Sequence, residues 1–204
     1  MIVVKLQGGL GNQMFQYAFG KHMALKCNTN LKLYISYFAN QDLRKYELDK
    51  FNITNEIISK EKLNKILYPH SSNLFNHSFN KLTNNYFVYK TISENMFTHD
   101  SDILSAGKNF YIVGYWQSEK CFKSIGSIIR QCFQFQYTEQ KNQKHIDEIK
   151  KTNSISIHIR RGDYVNNEMT KKFHDVCDAN YYHQAINYIS ERVGNSVFFY
   201  FLTK

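Results

Sequence analysis

The sequence has a single proline, Pro69, and four cysteines, Cys27, Cys121, Cys132 and Cys177, that form no C-x-x-C pair and no zinc-ligand spacing. A zinc module is therefore excluded. Cys27, Cys121 and Cys132 fall on or beside helical patterns, where free cysteine behaves as a small hydrophobe, and a reducing cytoplasm is the simplest setting. No apolar run approaches the roughly 20 residues needed to span a bilayer. The start Ile2-Val3-Val4 is broken by Lys5 and Gln7, unlike a signal peptide. The glycosylation sequons at Asn52 and Asn76 are then coincidences of an asparagine-rich sequence. There is no Walker pattern. Gly9-x-Gly11 lacks the third glycine of a dinucleotide fingerprint, because Met14 stands in its place, and no acidic residue promptly follows the next strand. His70, His77 and His99 show no ligand spacing and read as surface residues. Asp100-Ser101-Asp102 matches a metal–nucleotide Asp-x-Asp, but no apolar strand precedes it, and a helix N-cap is the better reading.

What is present is a globular composition, 43% hydrophobic, in a chain of 204 residues. That length suits one large domain or two small ones and can bury about 70% of its unfolded surface. The formal charge is +9, from 26 basic and 17 acidic residues. This favours an anionic ligand or surface, although much of the excess is scattered lysine of the kind that makes a solvated face. A nucleic-acid binder would also fit the charge, but no stacking motif or recognition helix accompanies it.

Hydrophobic patterning predicts an α/β chain. Met1 to Leu6 reads as a buried strand. A glycine turn, Gln7 to Gly11, leads to a helix starting near Asn12, with Met14, Phe15, Ala18, Phe19, His22 and Leu25 on its apolar face. Leu31, Leu33 and Ile35 then alternate as a second strand, and strand, helix and strand together form a βαβ unit. Further on, Tyr46–Ile53 has strand or short-segment character, Ser59–Leu67 is helical, Ser71–Asn85 is a loop, and Tyr86–Tyr89 is a short strand. Asn109–Gly114 is a strand, and Phe122, Ile125, Ile129 and Cys132 mark an amphipathic helix. Between these two, Trp116 is placed either to stack on a sugar or to pack in the core. A helix over 140–151 ends in charges that resemble a linker. Tyr182 to Val193 space as a helix capped by Gly194, and Ser196–Leu202 is an apolar strand that calls for neighbours on both sides.

The stretch Ser154 to Val165, SISIHIRRGDYV, carries the chemistry. Ile155, Ile157 and Ile159 alternate with Ser156, His158 and Arg160, as in a half-buried strand. Arg160 brings a rigid charged fork suited to phosphate oxygens. Gly162 lets backbone amides approach a ligand, and Asp163 can hold a guanidinium in place. A glycine turn at Gly9 and Gly11 can likewise cradle an anion, or it can be no more than a tight strand-to-helix turn.

The pattern His158-x-Arg160-Arg161-x-Asp163 resembles the nucleotide-sugar motif of α1,2- and α1,6-fucosyltransferases. Gln7 to Gly20, QGGLGNQMFQYAFG, resembles the N-terminal signature of the bacterial α1,2-fucosyltransferase family. The loop Gly114–Glu119 and the segment through Tyr181, Tyr182 and Ala185 look like the same family. The resemblance implies a GT-B-like architecture of two Rossmann-type α/β domains with the active site in the cleft between them. Residues 1–151 would be an acceptor-side domain, and 152–204 the start of a donor-binding domain. Because the resemblance covers roughly the first two thirds of a typical member, the second domain is expected to be incomplete and the chain truncated, with a catalytically inactive fragment as the alternative.

The implied reaction is inverting, metal-independent transfer of L-fucose from GDP-β-L-fucose to the 2-hydroxyl of a galactose-containing glycan. By that resemblance Arg160, Asp163 and His158 are catalytic-site residues: Arg160 faces the departing diphosphate, His158 positions the loop, and Asp163 is considered as general base. Arg160, Arg161, Gly9, Gly11 and Asn12 would bind the donor. Neither a metal nor a cofactor is expected, nucleic acid is not an expected partner, and a cytoplasmic enzyme peripheral to the inner membrane is.

Overall fold

The computed structural model describes residues 1–40, 42–67, 90–93, 108–160 and 177–203, with Lys90, Arg160 and Thr203 placed by backbone alone. The chain divides into two compact units, Met1–Tyr137 and Thr138–Lys204. The first unit is built on strands β1 (Ile2–Lys5), β2 (Leu31–Tyr34), β3 (Glu56–Ile57), β4 (Lys90–Ser93) and β5 (Phe110–Val113). They form one five-stranded sheet in the order β3-β2-β1-β5-β4. Every pairing in it is parallel.

Central β1 explains the layering. Ile2, Val3 and Val4 are all fully buried, as expected of a parallel strand covered on both faces. Ile2 and Val4 pack with helix α1 (Leu10–Lys26), whereas Val3 packs with Ile58 and with Leu63 of helix α2 (Lys60–Leu67). Helix α3 (Gly126–Cys132) adds Ile129 to the cluster on the α1 side. Trp116 lies in this core, 2% exposed and stacked on Phe19 with ring centroids 3.9 Å apart. Of the two expectations for the tryptophan, core packing is the one realised, since an indole stacked on a buried ring offers no face to a sugar.

Two local expectations are corrected, both on the first helix. Helix α1 begins at Leu10 with Gly9 as its N-cap, so Asn12 sits in the first turn and caps nothing. Its inner face is more polar than periodicity suggests: Gln13 and Gln16 are fully buried, while Leu25 is 45% exposed. Of the two expectations for residues 46–53, a short segment rather than a strand is realised: a 3-10 turn, Leu48–Lys50, beside an isolated antiparallel bridge between Phe51 and Phe135. The strand expected at Tyr86–Tyr89, the loop at Ser71–Asn85, the histidines at 70, 77 and 99 and the Asp-x-Asp at 100–102 lie outside the described residues.

The second unit contains helix α4 (Gln140–Lys151), strand β6 (Ser154–Arg160), helix α5 (Ala179–Val193) and strand β7 (Val197–Thr203). Helix α4 lies in the same compact unit as β6. The Ser154 hydroxyl closes that junction by donating to Ile149 O at 2.6 Å. Strands β6 and β7 pair in parallel over their full length, Ser154 with Val197 through Arg160 with Thr203. Asp178 caps α5 by accepting from Tyr181 N at 2.8 Å, and Gly194 closes it at φ 72°. Among the described residues no helix is long and apolar enough to cross a membrane.

Gly20 is where α1 meets the sheet most closely. A Cβ there would lie 2.3 Å from Val4 Cγ2 and 3.1 Å from Leu31 Cδ1. Overpacking of this kind costs about 1–3 kcal/mol, against about 1 kcal/mol of helix propensity regained on going from glycine to alanine. Gly20→Ala is therefore expected to lower the urea midpoint, with larger side chains lowering it further. An unchanged or raised midpoint would show that Val4 yields freely.

Candidate functional site

Strand order in the first unit singles out one place. From β1 the chain moves outward to β2 and β3, then returns from β4 at the far edge to β5 beside β1. In open α/β sheets, ligands bind beyond the carboxyl ends of the strands where the order reverses. Here those ends are the turn after β1, residues 7–12, and the loop after β5, residues 114–117. They are joined directly: Gln117 Nε2 donates to Asn12 Oδ1 at 2.7 Å.

The glycine turn owes its shape to buried amides. Gly8 has φ 80°, in the left-handed region that L side chains avoid, and Asn12 Nδ2 occupies the space a Cβ would need, 2.6 Å away. Gln13 Nε2 donates to Gly8 O at 3.1 Å and to Lys45 O at 2.8 Å, while its Oε1 accepts from Glu47 N at 3.0 Å. Gln16 Oε1 accepts from Gln7 N at 2.9 Å, and its Nε2 has no acceptor among the described residues. The turn is thus held by two glutamines of the helix it opens. Gly11 differs from Gly8, because a Cβ built on it meets nothing within 4 Å. The loop after β5 is also tightly wound, with Gly114 at φ 141° and Trp116 at φ 56°. A left-handed non-glycine residue stores strain, and the buried Phe19 stack holds Trp116 there.

Of the residues expected at the site, Gly9, Gly11 and Asn12 come together in this one turn, Gly9 as N-cap and the other two in the first turn of α1. In the second unit Arg160 is the last residue of β6, with its backbone paired to Thr203. His158 is exposed on β6, and Ile155, Ile157 and Ile159 are half-buried, which gives the alternation expected of that strand. Tyr182 and Ala185 of α5 line, with His158, a cavity of about 320 Å³ against β6. Arg161, Gly162 and Asp163 lie outside the described residues.

Sequence reasoning missed Gln13, Gln16 and Arg44. The glutamines carried a signal, since positions three apart on α1 share a face, but polar residues are not expected on a core face. Arg44 carried none. It is half-buried beside the turn, and a Cβ on Gly9 would lie 3.9 Å from its Nε.

The two outer glycines of the turn should respond differently to substitution. Gly8→Ala forces an L residue into the left-handed region, at a cost of about 1–2 kcal/mol, and drives a methyl into Asn12. It is expected to lower the urea midpoint, whereas Gly11→Ala is expected to leave it unchanged or raise it slightly. Equal losses in the two variants would mean that the turn is not held as described.

Comparison with known proteins extends these observations to the whole chain. The pattern of glycosyl transferase family 11 matches residues 1–202. An Escherichia coli alpha-1,2-colitosyltransferase is 35% identical over 202 residues, covering 98% of this chain and 68% of the relative. The O-antigen biosynthesis glycosyltransferase WbnK of Escherichia coli is 34% identical over 215 residues, covering 96% of this chain and 70% of the relative. Among solved structures, the NodZ alpha-1,6-fucosyltransferase soaked with GDP-fucose is similar over 100% of this chain and 70% of that one, at 12% identity and a TM-score of 0.46, too remote to argue from. The family match and two relatives above 30% identity agree with the resemblance carried by the glycine turn and the arginine motif: the chain belongs to glycosyl transferase family 11.

Proposed function

We propose that the protein transfers L-fucose from GDP-β-L-fucose to the 2-hydroxyl of a galactoside, with inversion and without a metal ion. The observation that carries this reading is that His158 and Arg160, of the sequence motif His158-x-Arg160-Arg161-x-Asp163, lie at the carboxyl end of a parallel strand, in a chain whose family transfers sugars. In this reaction the acceptor oxygen attacks the anomeric carbon, the bond from that carbon to the diphosphate breaks, and the hydroxyl proton passes to a general base that the sequence does not identify, Asp163 being a candidate. Negative charge accumulates on the leaving diphosphate as the bond lengthens. A fixed cation aimed at that charge lowers the barrier more than it stabilises the ground state. Arg160 is assigned this role because its guanidinium is charged at every accessible pH and its fork matches two phosphate oxygens. Arg161 supports it, His158 positions the loop, and Gly9, Gly11 and Asn12 receive the donor.

The relative named as a colitosyltransferase favours a second donor on specific grounds. Colitose is fucose without its 3-hydroxyl, so a site that takes one sugar differs from a site that takes the other by a single hydrogen-bonding group. Pockets that bond a hydroxyl reject the analogue lacking it far more strongly than apolar pockets reject the hydroxylated one.

Incubating the chain with GDP-fucose or GDP-colitose and a β-galactoside, with and without EDTA, tests the reading. Transfer of fucose that survives chelation is expected. Arg160→Ala should lose about 10²–10³ in kcat with an unchanged melting temperature. Transfer abolished by EDTA, or undiminished in the alanine variant, would contradict the mechanism, and exclusive use of GDP-colitose would reassign the donor.

A further inference from the structure

Arg44 precedes by one residue a carbonyl that Gln13 holds. Gln13 bonds Lys45 O at 2.8 Å and Glu47 N at 3.0 Å with the same carboxamide that bonds Gly8 O at 3.1 Å. The backbone that bears Arg44 is therefore fixed to the backbone of the glycine turn through one buried side chain. The Arg44 side chain follows from that anchoring. Its Nε and Cδ would lie 3.9 Å and 4.0 Å from a Cβ on Gly9, the nearest atoms outside Gly9's own chain neighbours. The side chain thus runs beside Gly9 at a distance that leaves room for about one methyl group between them. Beyond it, Gly11 faces open space, and Asn12 is held by Gln117 at 2.7 Å. The half-buried residue Arg44, two glycines and an oriented amide pair are brought to the carboxyl ends of β1 and β5, on the unit that does not contain Arg160.

We propose that Arg44 contacts substrate at the glycine turn, binding an oxyanion of the donor's diphosphate, and that Gln13 is the positioning residue that sets it there. The class of ligand rests on the proposed function, whereas the placement of Arg44 does not. Guanidinium suits the task because its planar fork bonds two phosphate oxygens at once, which an ammonium on a flexible stem does not match.

The test uses the whole chain, with GDP and guanosine as probes, titrated calorimetrically into the wild type, Arg44→Gln and Arg44→Lys. GDP should bind Arg44→Gln about tenfold or more weakly, the worth of one charge-assisted hydrogen bond. Guanosine affinity and melting temperature should be unchanged, and Arg44→Lys should recover only part of the loss. Gln13→Met should weaken GDP binding as well, and combining it with Arg44→Gln should add little, since the two act through one contact. If Gln13→Met fails to fold, the Arg44 variants decide alone. Wild-type GDP affinity in Arg44→Gln overturns the proposal, and if that variant also transfers sugar normally, it leaves the transferase reading intact. A wild type that neither binds GDP nor transfers sugar overturns both.

Discussion

The carboxamide of Gln13 is the contact on which the architecture of the first unit's site depends. It is fully buried, and it joins Gly8, Lys45 and Glu47, backbone groups from two separate stretches of chain. Each of those groups would cost about 1–3 kcal/mol if left buried and unpaired. A carboxamide has two donor hydrogens and an acceptor oxygen in one rigid plane, so a single residue meets the whole demand. Apolar replacements would fill the space and leave the backbone polar atoms without partners. The consequence reaches the surface: the turn after β1 cannot shift without moving the segment that carries Arg44, and Asn12 ties the same turn to Gln117 on the loop after β5.

Around that contact the fold serves mainly to hold two strand ends still. Central β1 is covered on both faces, α1 is drawn against it at Gly20, and the Phe19–Trp116 stack pins the loop after β5 in a strained conformation. Rigidity of this kind has a chemical use. On the proposed mechanism, charges that sit on long, flexible side chains must be aimed at the substrate. Fixing the backbone beneath them removes part of the entropy that would otherwise be lost on binding. In the second unit the same economy takes a different form: β6 delivers Arg160 at its last residue, with its backbone paired to Thr203.

Much of this was legible in the sequence, for reasons that differ along the chain. Strands β1, β2, β5, β6 and β7 and helices α2, α4 and α5 announce themselves by local periodicity and by glycine or asparagine punctuation, and the structure places them close to where the patterns lie. The two-residue strand β3 does not. It is defined by pairing with β2 and by the Lys32–Glu56 ion pair at 2.8 Å, both of them tertiary facts. The start of α1 was misplaced because Asn12 has the chemistry of an N-cap residue while Gly9 has the backbone conformation of one. Its inner face was misread because burial of Gln13 and Gln16 depends on carbonyls and amides that come from elsewhere in the chain. Likewise the turn was recognisable at Gly9 and Gly11 as a place for a ligand, whereas Arg44 reaches it only through the fold.

A ligand that uses this site must disturb the amides at the carboxyl ends of β1 and β5. The most direct measurement is a nuclear magnetic resonance titration of the isotopically labelled chain with GDP-fucose and a galactoside. The account predicts that the largest amide shifts in the first unit fall on Gly8 to Asn12, Arg44 and Gly114 to Gln117, with little change at the opposite edge around Thr29, Leu31 and Asn55. Shifts concentrated at that opposite edge, with the glycine turn silent, would contradict it.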